Sequence, residues 1–203
     1  VKDVLLEALS PPDGATAAAA LDVATAHLSP ALLNHSLRVH LWAAARGTTD
    51  GVPFDPELLY VAALFHDIGL VPAFDSHTLA FEEAGGHVAG VFAAGAGWPA
   101  ERRERLYRVI VRHMWPQVDV SVDPEGHLLA RAAATDVVGR EADDYPSRFR
   151  AEVLERHPRL NFAGVFLACF RDQAARKPES SAADAVRSGL PGRMAANPFD
   201  AAS

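Results

Sequence analysis

The segment Leu58-Leu59-Tyr60-Val61-Ala62-Ala63-Leu64-Phe65 constrains this chain more than any other. A surface helix is apolar along one stripe only, so an unbroken apolar run predicts a helix buried on every side. Asp55-Pro56-Glu57 stands before it, a capping carboxylate followed by Pro at the first helical position, and His66-Asp67-Ile68-Gly69 stands after it. A fully enclosed helix needs other helices around it, and apolar residues elsewhere recur mostly at helical rather than alternating spacing. One helix is expected over residues 15–27. Ser29-Pro30 repeats the cap-and-proline start and predicts a helix to about Arg46 that stops at Gly47. Others are expected over about 79–94, 100–113, 124–139, 147–156 and 160–176. The chain reads as all-α, a helical bundle forming one domain over residues 1–203. Its core spans about 28–176, and a tail, 177–203, packs on the body.

Charge and cysteine content narrow the function classes. The 203 residues carry 26 acidic against 19 basic side chains, net −7, which argues against a general nucleic-acid binder or a polybasic membrane anchor. A single cysteine, Cys169, excludes an intrachain disulfide and any cysteine-based zinc or iron–sulfur site. No charged-then-apolar leader opens the sequence, and the longest uncharged stretch, residues 84–100, holds five glycines, a histidine and a proline. The expectation is a cytoplasmic protein with neither nucleic acid nor membrane as partner. Small alanine-rich helical domains often associate, so a homo-oligomer is compatible with the sequence, which does not fix the oligomeric state.

His66-Asp67 is the first candidate for chemistry, its alternative a His–Asp pair at a surface helix terminus. Neighbours on a helix point about 100° apart, but at a helix end both side chains can converge just beyond the last turn. Gly69 then lets the chain turn away. An ionised Asp buried beside a His is costly unless something positive compensates it, and a metal cation does so. His35 lies in an apolar helix upstream, Asp136 in another downstream, and His87 and His113 in the two helices between.

This order, His, then His-Asp, then Asp, resembles the HD superfamily of metal-dependent hydrolases, with His66-Asp67-Ile68-Gly69 as its signature. Asn34 to Val39, Leu64 to Leu70, Phe81-Glu82 with Gly85-Gly86, Asp136-Val137-Val138-Gly139 and Arg176-Lys177-Pro178 look like the cyanamide hydratase branch. The resemblance implies an HD-domain fold with the metal between core helices, and His35, His66, Asp67 and Asp136 as ligands. Mixed imidazole and carboxylate ligation suits zinc, iron or manganese. It implies a hydratase or hydrolase that acts on a small, nitrogenous molecule through metal-activated water, with Asp67, His66 and Arg38 as catalytic residues. Arg38, one turn after His35, has an alternative role in holding Asp136 or Asp67.

His87 departs from that branch's pattern. Resemblance to the dinuclear members of the superfamily implies that with His113 it completes a six-ligand set, His35, His66, Asp67, His87, His113 and Asp136; the alternative is that His87 and His113 bind substrate or donate protons beside a single ion, so one or two divalent ions per chain are expected. Two ions would suit phosphoester hydrolysis or, as di-iron, oxygenase chemistry. The basic residues near the motifs, Arg38, Arg108 and Arg112, are few for a phosphate substrate. Glu82 or Glu83 could orient a ligand histidine, Glu83 facing His87 better. Trp115, just past His113, either walls a pocket or packs where the helix ends.

Overall fold

Asp55 Oδ1 accepts from the Leu58 backbone N–H at 3.0 Å, and a helix follows over Pro56–Phe65 in which every residue from Leu58 onward is at most 1% exposed. The computed structural model describes residues 4–200, so both ends of the expected domain, residues 1–3 and 201–203, lie outside the described residues. In chain order the helices are α1 (Ala15–His27), α2 (Pro30–Asp50), α3 (Pro56–Phe65), α4 (Phe81–Gly95), α5 (Ala100–Arg112), α6 (Pro124–Val138), α7 (Ser147–Arg156), α8 (Phe162–Arg176), α9 (Ser181–Arg187) and α10 (Leu190–Ala195). No strand occurs among the described residues, so the protein is all-α. The central helix is α3, packed by α1, α2, α4, α5 and α6. Each large aliphatic or aromatic side chain enclosed there contributes roughly 1.5–3 kcal/mol. Outside this shell, α8 lies on α2, and α9 and α10 close over α8 and α6. None of the described helices is long and apolar enough to cross a membrane.

Two glycines behave differently from expectation. The second helix does not stop at Gly47 but runs on to Asp50, and Gly51, at φ 67°, ends it. Gly47 serves packing instead: a Cβ there would lie 2.6 Å from the Phe54 ring and 2.9 Å from Leu128. Gly69 is also a packing residue. Its φ is not positive, and a Cβ on it would fall 2.0 Å from the Phe81 carbonyl oxygen. Gly85 answers from α4, where a Cβ would sit 3.1 Å from the Phe65 carbonyl. The backbone that follows His66-Asp67 therefore lies directly against α4.

The loop after this turn is tied to the end of α8. Asp75 Oδ1 accepts from Gln173 Nε2 at 2.9 Å and from Lys177 Nζ at 2.8 Å, and Lys177 also donates to the Leu79 carbonyl at 2.8 Å. Lys177 is buried, so this clamp fixes the end of α8 to the loop that leads into α4.

Candidate metal centre

Helices α2, α3, α5 and α6 deliver His35, His66-Asp67, His113 and Asp136 to one region, all of them buried. His66 keeps helical backbone angles, while Asp67 leaves the helix at φ −105°, ψ 4°. That change of direction lets the two neighbouring side chains meet at a common point.

Each histidine is anchored through Nδ1. His66 Nδ1 donates to the Ala63 carbonyl at 2.8 Å, and His113 Nδ1 donates to the Ile110 carbonyl. A carbonyl only accepts, so both rings carry a proton on Nδ1 and turn Nε2 inward. His35 Nδ1 donates to Asp136 Oδ2 at 2.7 Å, and Phe162 stacks on its ring at 4.5 Å. The inward atoms converge. His35 Nε2 lies 3.2 Å from His66 Nε2, and each lies 3.3 Å from Asp67 Oδ2. His113 Nε2 is 3.8 Å from the other oxygen, Asp67 Oδ1.

Two imidazole nitrogens and a carboxylate oxygen at this range are all acceptors once their Nδ1 protons are committed elsewhere. They repel unless a positive charge sits among them. Asp67 Oδ2 is buried and has no hydrogen-bond partner among the described residues. A proton could bridge one pair of these atoms; a cation satisfies all three, so His35, His66 and Asp67 fit a divalent metal. Burial works against charge on both His66 and Asp67, but each overcomes it in the other's field. The Asp67 charge 3.3 Å away raises the His66 pKa, and the charges of His66 and then His35 hold Asp67 well below the usual carboxylate range. His113 differs: burial, then the neighbouring His66, lowers it to about 4.

Asp136 stands behind His35 rather than among the converging atoms. Arg38 grips it with two bonds of 2.8 Å, Nε to Oδ1 and Nη2 to Oδ2, and Trp42 Nε1 donates to Oδ1 at 2.9 Å. Its carboxyl is desolvated, yet the Arg38 charge and hydrogen bonds hold it far below the ordinary carboxylate range. Arg38 is fully buried, and its remaining nitrogen donates to the His157 and Pro158 carbonyls. It holds Asp136, the alternative role read from sequence, and does not line the pocket. Arg159 and Asn197 each donate to the Asp136 carbonyl at 2.9 Å. Trp42, Arg159 and Asn197 carried no motif in the sequence, because their roles come from chain segments that meet only in the fold.

His87 is not brought to the cluster. α4 packs through Phe81, Gly85 and Ala89, and His87, two positions from Gly85, is exposed and faces the Tyr107 ring at 4.9 Å. Glu83 does not orient it: Glu83 Oε2 accepts from the Ala80 backbone N–H at 3.2 Å and caps α4. Glu82 is buried, and burial raises its pKa.

A cavity of about 290 Å³ opens from the cluster. Its buried floor is His35, His66, Asp67 and His113, its walls include Val137, Phe166, Phe170 and Leu190, and Trp115, Arg140 and Arg193 stand at its exposed mouth. Trp115 thus walls the pocket, with Arg112 5.2 Å from its ring. The arginines singled out from sequence are engaged elsewhere: Arg112 pairs with Asp123 at 2.8 Å and Arg108 lies beside Glu104.

The family model described as HD domain matches residues 32–114, which include His35, His66, Asp67, His87 and His113. That segment of the chain is similar to an HD domain. Beyond it, the chain is similar to two cyanamide hydratases of Saccharomyces cerevisiae, DDI2 and DDI3, each 28% identical over 172 residues, 83% of this chain and 76% of the relative. Asp136 lies outside the matched HD segment and reaches the site from α6 through His35.

Proposed function

We propose that this HD-domain chain is a metal-dependent hydratase or hydrolase that adds water to a small, nitrogenous substrate, with a nitrile-type carbon as the reacting group. The observation that carries this reading is the convergence of His35 Nε2, His66 Nε2 and Asp67 Oδ2 with no proton donor between them. Similarity to cyanamide hydratases over most of the chain supports the choice of reaction.

A divalent ion held there supplies a water of lowered pKa, from 15.7 towards roughly 7. His35, His66 and Asp67 would hold the ion, and Asp136 would keep the His35 ring oriented. His113 is neutral at pH 7 and offers Nε2 to the cavity, so it can accept a proton from water or bind a substrate N–H. With His87 turned to the surface, the geometry favours one ion per chain over two, and so favours hydration over chemistry that needs a dinuclear centre.

The test is metal counting by mass spectrometry on protein purified without added metal, paired with an assay of urea formation from cyanamide. The expected result is about one ion per chain and activity that chelation removes. Undiminished turnover in metal-free protein would overturn the reading.

A further inference from the structure

The cavity is larger and more polarised than a molecule as small as cyanamide needs. Its volume, about 290 Å³, is some ten times the ~30 Å³ share of one water and near the lower bound for pockets that take drug-sized ligands. Between the buried imidazole–carboxylate floor and the open mouth, the walls are apolar: Ala133, Val137, Phe166, Phe170 and Leu190. The mouth carries two guanidinium groups, Arg140 from the turn after α6 and Arg193 from α10. Most arginines of this acidic chain sit beside a carboxylate, but among the described residues neither of these two has one within ion-pair range. Arg193 donates only to the Ser188 carbonyl, and Glu141, next to Arg140, is already held by Arg46 and Arg131. Trp115, 51% exposed, adds a flat apolar surface beside them.

We infer that the pocket takes an amphiphilic organic anion, with its reacting nitrogenous group on the His–Asp floor, an apolar body along α6 and α8, and its anionic end on Arg140 and Arg193. This rests on the proposed function in taking the floor as the reacting end. The charge lies at the opposite end from that floor, which distinguishes this substrate from a phosphomonoester whose phosphate would have to reach the metal ligands. Two guanidinium groups can bind a carboxylate with several N–H donors, and the apolar walls exclude water from the body between.

The probe is 4-phenylbutyrate, compared with its neutral analogue 4-phenylbutan-1-ol, with binding read from Trp115 fluorescence. Trp42 and Trp98 are buried away from the mouth, which makes Trp115 the responsive reporter. The acid is expected to bind about tenfold tighter than the alcohol. The Arg140→Ala/Arg193→Ala double variant, changed only at exposed positions, should lose that preference while binding the alcohol as before. The pattern should be the same before and after chelation. A preference that survives the double variant but vanishes on chelation would mean the carboxylate sits on the ion, and would overturn the inference while leaving the metal centre intact. Equal binding of acid and alcohol would overturn it outright. Metal content measured on the same samples separates the two readings: an arginine-dependent preference in protein that never holds metal would sink the proposed function alone.

Discussion

At the scale of single residues, the centre is built by fixing the outward nitrogen of each histidine so that the inward one has no proton to give. Removing an inward ligand should therefore abolish binding, whereas removing an outward partner should weaken it. His66→Ala and Asp67→Ala are expected to lose essentially all bound metal. Asp136→Asn keeps the shape but gives up the charge that orients His35, and is expected to cost 10- to 100-fold in metal affinity, measured by chelator competition. Arg38 and Trp42 would then face an amide where they now hold a carboxylate, so some loss of stability should accompany it. His87→Ala is the contrasting variant. Its side chain is exposed and away from the cluster, so metal per chain should stay at the wild-type value; a drop of one ion would restore His87 as a ligand.

At the scale of elements, the site depends on α3 and α4 meeting backbone to backbone. A methyl group at Gly69 would collide with the Phe81 carbonyl, which belongs to a helix and cannot swing aside. Gly69→Ala should cost about 3 kcal/mol in a denaturant titration and displace the turn that carries Asp67. Gly90→Ala, in the same α4 but with nothing within 4 Å of the new atom, should gain up to about 1 kcal/mol through helix propensity. Equal effects at the two positions would refute the packing argument. The same distinction shows what could be read from sequence. Helix starts at Ser29-Pro30 and Asp55-Pro56 were legible, because each is a local bond between a cap and a backbone N–H. The His-Asp pair stood out through its resemblance to the HD signature, with the cost of an uncompensated charge at a buried helix end in support. Gly47 and Gly69 were misread because the atoms that demand glycine, on Phe54, Leu128 and Phe81, belong to other parts of the chain. The facing of His87 and the arginines at the pocket mouth escaped for the same cause. Their position depends on which side of α4 packs inward and on where α10 returns.

At the scale of the whole molecule, acid should destabilise the fold in two stages. Asp67 and Asp136 have depressed folded pKa values, so what they contribute is present above the unfolded carboxylate value of 3.8 and is lost only as pH falls below it. Three histidines with lowered folded pKa values, His40, His113 and His157, act earlier, while His66, whose pKa is raised, works in the opposite sense. His40 is 4% exposed, packs edge-on against Tyr60 at 4.9 Å, and has no hydrogen-bond partner on either ring nitrogen among the described residues. Burial, then the nearby His157, lowers its pKa from 6.5 to about 4. Between those values the unfolded chain binds a proton that the folded chain refuses, so stability rises with pH and is lost on acidification from 6.5 towards 4. A separation of 2.5 pH units corresponds to on the order of 3 kcal/mol for this one side chain. His113 and His157, also lowered to about 4, add to the same stage. His40→Leu removes the titrating group and two unpaired polar atoms together. Its unfolding free energy at pH 7 should be equal to or above that of the parent, and its loss between pH 6.5 and pH 4 smaller by on the order of 3 kcal/mol. The comparison belongs in metal-free protein, where His113 titrates in both chains alike. Parallel stability curves for parent and variant across that window would show that His40 is protonated in the fold and that the acid sensitivity originates elsewhere.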